Sequence, residues 1–302
     1  VLAILVFQNS AASLLMSEAS RAHSAERWNS QTGVILQEAI KAVMCVGLLL
    51  HSGGGAEVWE ALAPTAEAVK TSIPALLYLF QNNMQYVAVS YLDAATYAIL
   101  YQLKILTAAV MSVVILRKSL SGKQWIALVV LTVGASVVVV SQMTTNSSST
   151  SSRQGSIVPG VVAVLLACLA SGLAGVYFEK LLKGSTVSLW ARNLQLALYS
   201  LVVGFGGLYQ SSGIELLGPD FFKGYTTVVL AAVVNNALGG LLIAVVIKHA
   251  DTIMKNFSTT LSIIVTTLAS MLFFGSRVNC TSAFGTALVI YAVFLYGGMT
   301  GL

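Results

Sequence analysis

Residues 94 to 116 read A-A-T-Y-A-I-L-Y-Q-L-K-I-L-T-A-A-V-M-S-V-V-I-L, an apolar run from Ala94 to Leu116 broken by a single charge at Lys104. A helix needs about 20 mostly apolar residues to cross a hydrocarbon core of roughly 30 Å, so this window is of spanning length. At about 1.5 Å per residue, Lys104 would lie roughly 15 Å from the Ala94 end, near the midplane, where snorkelling to either surface is difficult. A charge at that depth costs about 2.5–3.5 kcal/mol even on a lenient insertion scale, and a group retained at such a cost is a functional candidate.

The rest of the chain fits that window. Of its 302 residues 57% are hydrophobic and 9% charged, against about a quarter charged in a soluble domain. Ten windows of spanning character emerge, at about Val1–Ser20, Thr32–His51, Ser72–Tyr91, Ala94–Leu116, Gln124–Gln142, Ile157–Phe178, Leu189–Gln210, Tyr225–Ile247, Ile253–Gly275 and Ser282–Gly298. The first is interrupted by Gln8, Asn9 and Ser13 and has no basic flank before it, which reads as a spanning helix and not as a signal peptide.

The low-complexity stretch T-T-N-S-S-S-T-S-S-R-Q-G-S from Thr144 to Ser156 is a polar linker. It divides the chain into a first five-helix repeat, 1–142, a linker, 143–156, and a second five-helix repeat, 157–302. The predicted fold is therefore all-α and polytopic, with ten transmembrane helices in a 5+5 inverted repeat. Odd-numbered halves must face opposite ways across the bilayer. A shift of 158 residues aligns Tyr91-Leu92-Asp93 with His249-Ala250-Asp251 and Ser112 with Ser270, a suggestive internal echo. Lys70, Arg117, Lys118, Lys123, Lys180, Lys183, Arg192, Lys248 and Lys255 flank spans on one side, and Arg21, Arg27, Arg153, Lys223 and Arg277 on the other. That bias puts both termini in the cytosol and the linker, with its sequon Asn146-Ser147-Ser148, in the lumen.

Several functions are excluded by the same reading. Sixteen Lys and Arg against eleven Asp and Glu are spread singly and in pairs, without the basic face that nucleic acid requires. Cys45 and Cys168 sit inside apolar runs and Cys280 at the edge of one, so neither a disulfide framework nor a zinc pattern is available. His23, His51 and His249 lie at predicted loop edges, and no metalloprotease, nucleophile-elbow or phosphate-loop motif occurs. We expect no catalytic residues, no metal site, no cofactor and no enzyme activity. Asp93 and Asp251 lie at helix entrances, and Asp93 reads as an N-cap and not as an acid.

The polar residues inside the spans carry the functional expectation. Tyr97, Tyr101 and Lys104 are spaced i, i+4 and i+7 and share one helix face, offering a cation for phosphate and aromatic rings for a base or sugar. The repeat shift maps that face onto Lys255, Thr259 and Ser262, although a lysine near a cytosolic helix end is equally ordinary as a snorkelling residue. Tyr78, Gln81, Asn82 and Asn83 in the third span, and Asn193 and Gln195 in the seventh, could read a base edge or could bind helices together. Glu38 and Lys41 are i, i+3 neighbours that could neutralise each other, which favours a gate or supporting pair. Gly172-Leu173-Ala174-Gly175 and Gly239-Gly240 suit close helix contacts.

At these residues a family resemblance becomes visible. The runs Gln81-Asn82-Asn83-Met84-Gln85-Tyr86-Val87-Ala88, Tyr101-Gln102-Leu103-Lys104-Ile105-Leu106-Thr107, Gly175-Val176-Tyr177-Phe178-Glu179-Lys180, Arg192-Asn193-Leu194-Gln195, Phe221-Phe222-Lys223-Gly224-Tyr225 and Asp251-Thr252-Ile253-Met254-Lys255-Asn256-Phe257-Ser258 resemble the nucleotide-sugar transporter family. The similar branch holds the UDP-galactose, UDP-N-acetylglucosamine and CMP-sialic acid transporters. Gln85-Tyr86, Ile105-Leu106-Thr107 and Leu194-Gln195-Leu196 resemble the UDP-sugar members more than the CMP-sialic acid ones. Tyr91, His249 and Asn256 depart from the pattern, where Asn, Tyr and Gly are expected.

The resemblance implies a drug/metabolite-transporter fold in the Golgi or endoplasmic reticulum membrane that exchanges a cytosolic nucleotide-sugar for lumenal nucleoside monophosphate by alternating access. It implies that Lys104 and Lys255 bind phosphate and that Tyr78, Gln81, Asn82, Tyr97 and Tyr101 surround the nucleotide, with Ser171 and Asn193 in lesser roles. A CMP-sialic acid exchanger, an exchanger of non-nucleotide anions and a non-transporting membrane scaffold stay open as alternatives. A homodimer or a glycosyltransferase association is not decided by the sequence.

Overall fold

The computed structural model describes residues 1–21, 28–53, 55–63, 65–92, 94–146, 157–184, 186–212, 218–274 and 280–297. Among them the regular structure is helical throughout. In chain order the helices are α1 (Leu2–Arg21), α2 (Ser30–His51), α3 (Gly55–Leu62), α4 (Ala66–Lys70), α5 (Ser72–Tyr91), α6 (Ala94–Tyr101) and α7 (Lys104–Leu116). They continue as α8 (Gly122–Asn146), α9 (Val158–Gly184), α10 (Leu189–Ser212), α11 (Thr227–His249), α12 (Thr252–Phe274) and α13 (Cys280–Gly297). Every predicted window falls on a helix. Five stretches among the described residues are long and apolar enough to cross a membrane, namely Ser30–His51, Thr96–Leu116, Gly122–Ser141, Val158–Gly184 and Thr227–His249. Asp93, most of the Ser-rich linker and the Asn146 side chain lie outside the described residues.

Local sequence starts several of these helices. The Asn29 side chain accepts from the Gln31 amide at 2.8 Å, Thr65 from Ala68 at 3.1 Å and Asp251 from Met254 at 2.7 Å, satisfying N–H groups that a helix start leaves open. Asp251 is thus an N-cap, and it also pairs with Lys118 at 3.0 Å.

The window 94–116 keeps its spanning length but is built of two consecutive helices, α6 and α7, because the chain tightens at Gln102 and Leu103. There the amides of Gln102, Leu103 and Ile105 bond three residues back, to Ile99, Leu100 and Gln102. No glycine or proline marks the spot. The break is fastened from α9: the Cys168 thiol reaches the Leu100 and Tyr101 carbonyls at 3.7 Å each, and Thr107 donates to the Cys168 carbonyl at 2.8 Å.

The chain forms two compact units that interleave in sequence: Val1–Leu76 with Phe178–Ala250, and Leu77–Tyr177 with Asp251–Leu302. In the first, α2 packs on α10 and α11, and α1 on α11. Glycines admit the contacts, since a Cβ at Gly239 would meet the Gln8 amide and one at Gly240 the Lys41 stem. In the second, α8 and α13 pack along a glycine seam, where a Cβ at Gly134 or Gly285 would come within about 3 Å of the facing helix. A core of Ile105, Leu128, Leu131, Ile253, Phe257 and Val289 joins α7, α8, α12 and α13. Gly172 lets α9 approach the α7 backbone, since a Cβ there would lie 3.0 Å from the Ala108 nitrogen.

Candidate binding site

The second unit gathers most of the residues singled out in the sequence. On α6, Tyr97 and Tyr101 stack with ring centroids 5.6 Å apart and planes 12° from parallel, as i, i+4 spacing permits. The Lys104 ammonium, at the start of α7, lies 4.3 Å from the centre of the Tyr101 ring, a cation–π contact. The predicted 97, 101, 104 face therefore survives the helix break.

The neighbouring α5 supplies amides to this face. Tyr78, Gln81 and Gln85 recur at i, i+3 and i+7. Gln81 Nε2 donates to the Tyr101 hydroxyl at 2.9 Å and Gln85 Nε2 donates to it at 3.1 Å. The Tyr97 hydroxyl donates to Gln85 Oε1 at 2.9 Å. The Ser171 hydroxyl of α9 is a further hydrogen-bond neighbour of Tyr101. Gln81 is buried, yet its Oε1 has no hydrogen-bond partner among the described residues. A buried polar atom left so is costly, about 1–3 kcal/mol, and a ligand N–H or O–H would relieve it.

Lys255 on α12 is half-buried and close enough to Lys104 for the two ammonium groups to repel. Neither lysine forms an ion pair among the described residues, although the same unit pairs Lys118 with Asp251. Thr259 donates to the Lys255 carbonyl at 3.0 Å, and Ser262 to the Thr259 carbonyl at 2.6 Å, so both hydroxyl protons are engaged within α12.

Other candidates have other partners. Asn82 is exposed and outside this hydrogen-bonded group, because successive residues on a helix diverge by about 100°. Asn193 belongs to the first unit, where its buried amide donates to the Leu189 carbonyl at 2.9 Å. Glu38 and Lys41, also in the first unit, form the expected buried pair, with Lys41 Nζ at 2.7 and 2.9 Å from the two carboxylate oxygens.

Two features escape the sequence reading. Gln85 touches both tyrosine hydroxyls, and its i+4 relation to Gln81 is the signal that points to it. Arg192, counted above among span-flanking cations, is wholly buried in α10. Its Nη2 donates to the Glu67 carboxylate at 2.9 Å, and its Nη1 to the Glu67 carbonyl, Thr71 and Gln195 at 2.6, 3.1 and 3.2 Å. Lys70 also bonds Glu67. Lys70 first, and then Arg192, lower the pKa of this exposed carboxyl below the ordinary glutamate value.

An apolar helical unit thus holds a lysine on the face of stacked tyrosines, with a buried carboxamide oxygen open to a donor. Residues 1–297 match the family model described as nucleotide-sugar transporter. The UDP-galactose translocator of Bos taurus is 43% identical over 98% of this chain and 76% of its own length. The UDP-N-acetylglucosamine transporter of Bos taurus is 43% identical over 98% of this chain and 94% of its own. The UDP-galactose/UDP-N-acetylglucosamine transporter srf-3 of Caenorhabditis elegans is 40% identical over 98% and 81%. A crystal structure 14% identical to the chain superposes with a TM-score of 0.71 over 98% of this chain and 95% of that one, a likeness of fold alone. The chain belongs to the nucleotide-sugar transporter family. It is a membrane transporter and not an enzyme.

Proposed function

We propose that this protein carries UDP-galactose, UDP-N-acetylglucosamine or both from the cytosol into the Golgi lumen, in exchange for UMP. The observation that carries the proposal is Lys104, set on the Tyr101 ring without a carboxylate partner among the described residues, with the like charge of Lys255 in the same unit. Two unneutralised cations in an apolar protein attract a phosphate, because charge-assisted bonds to its oxygens offset the cost of keeping the ammonium groups from water. Tyr97, Tyr101, Gln81 and Tyr78 then take the base, with Ser171 behind Tyr101. Relatives named for UDP-galactose and UDP-N-acetylglucosamine support the choice of sugar class.

Transport proceeds by alternating access of ten spanning helices in two inverted halves, both termini in the cytosol. Nucleotide neutralises the lysines and stabilises the conformation that reorients, while an empty site, with its two cations unshielded, seldom crosses. Glu38 and Lys41 act as a neutral supporting pair.

Thermal unfolding of the purified protein with a nucleotide panel tests the binding claim, since a ligand of the folded state raises the melting temperature by mass action. UMP and the UDP-sugars are expected to stabilise the wild type and to lose that effect in Lys104→Ala. Preference for CMP would transfer the assignment to a CMP-sialic acid exchanger, and indifference to every nucleotide would overturn it.

A further inference from the structure

We infer that a crevice between the α3–α4 connection and α10 seats one acyl chain of a membrane phospholipid, whose ester carbonyl accepts a hydrogen bond from Gln195. The crevice belongs wholly to the first unit, apart from the residues assigned to the nucleotide in the second. Its volume is about 160 Å³, and it is lined by Leu62 and Ala63 on one side and by Gln195, Leu198, Tyr199 and Val202 of α10 on the other. The packing of α10 on α2 fixes its depth. Near the end of α2, Leu49 shares a core with Ala191 and Leu194. Farther along α10, a Cβ at Gly204 would meet the Ile35 side chain at 3.1 Å. The two helices therefore run antiparallel, and Gln195 to Val202 lie level with the stretch of α2 between Leu49 and Ile35. That stretch is inside Ser30–His51, which is long and apolar enough to cross a membrane. Gln195 is near the end of the span, at the level of the lipid ester groups, with Leu198 and Val202 about one and two turns deeper. Val202 is 73% exposed, so the crevice opens sideways onto hydrocarbon and not onto water.

Size and polarity decide what such a crevice accepts. An apolar cavity of this volume admits a group of about benzene size. A segment of alkyl chain fits, and the fused rings of a sterol do not. Apolar contact alone selects nothing, because lipid tails are as apolar as leucine. Gln195 supplies the selection. Its Oε1 accepts from Thr71 and from Arg192 at 3.2 Å each, which fixes the carboxamide and leaves the N–H end. That Nε2 donates to nothing among the described residues, although the residue is only 3% exposed and lines the crevice. A donor so enclosed is costly unless an acceptor meets it. An ester carbonyl is the acceptor that a phospholipid brings to this depth, with its chain continuing past Leu198 toward Val202.

The test is thermal stabilisation of the purified full chain in detergent, titrated with a diester phosphatidylcholine and with its diether analogue, which keeps head and chains but lacks the carbonyls. The diester is expected to raise the melting temperature saturably and to bind about threefold to tenfold more tightly than the diether, the worth of roughly one hydrogen bond. Ala63→Phe, which fills the crevice, is expected to lose that preference. Val114→Trp, at a 67% exposed position of α7 in the other unit, is expected to keep it. If Ala63→Phe does not fold, Val202→Trp at the mouth takes its place. Equal affinity for diester and diether, no saturable stabilisation, or a preference undiminished in the filled variant overturns the inference. Stronger stabilisation by a sterol than by the diester overturns it as well.

Discussion

A buried arginine shows what one side chain can hold together. Arg192 makes four hydrogen bonds to Glu67, Thr71 and Gln195, and through them ties α4 to α10. Arg192→Met would take a buried donor from the Thr71 hydroxyl and from Gln195 Oε1, leaving them only their bond to each other at 3.2 Å, a cost of about 1–3 kcal/mol that would appear as a lowered melting temperature. The Glu67 end is exposed, so Glu67→Gln is expected to destabilise less than Arg192→Met at neutral pH, and its effect to disappear in acid. The folded-state pKa of Glu67 is depressed, so its contribution is present above the unfolded value, about 4.3, and is lost as pH falls through the lower folded value. The wild type should therefore lose its stability advantage over Glu67→Gln in that acid range, and two melting curves run against pH would reveal a constant difference if the pairing is idle. Sequence reading placed Arg192 correctly at the end of a span but took it for a loop cation, because its partner is 125 residues away.

Between helices, glycines decide how closely backbones approach. At Gly172 a Cβ would lie 3.0 Å from backbone atoms of Ala108 and Thr107, which cannot swing aside as a side chain could. At Gly206 a Cβ would meet nothing within 4 Å. Gly172→Ala is expected to destabilise by about 1–3 kcal/mol through overpacking. Gly206→Ala is expected to be neutral or stabilising by up to about 1 kcal/mol, because alanine restricts the unfolded chain. Equal melting temperatures for the two variants would refute the close α7–α9 contact. The Gly172–Gly175 run announced such a contact in the sequence. The α6–α7 break was illegible there, since no residue within it marks it and the groups that meet its carbonyls come from α9, more than 60 residues downstream.

Taken as a whole carrier, the protein should couple the movement of one nucleotide to the return of another. In proteoliposomes, UMP preloaded inside is expected to accelerate uptake of labelled UDP-galactose or UDP-N-acetylglucosamine several-fold over empty vesicles, and Lys104→Ala to abolish both rates. Uptake indifferent to internal nucleotide would replace exchange with uniport. The sequence by itself determined that this is a helical membrane protein, where its long apolar helices lie, and that Tyr97, Tyr101 and Lys104 share a face. Those properties follow from apolar window length and helical period, which are local. Only the tertiary structure decided that Gln85 bridges the tyrosines, that Asn82 points away from them, that Gln81 keeps an open acceptor and that Arg192 is buried. Each of these depends on partners brought from other helices, and hydrogen bonding inside an apolar interior is settled by which donors and acceptors meet there.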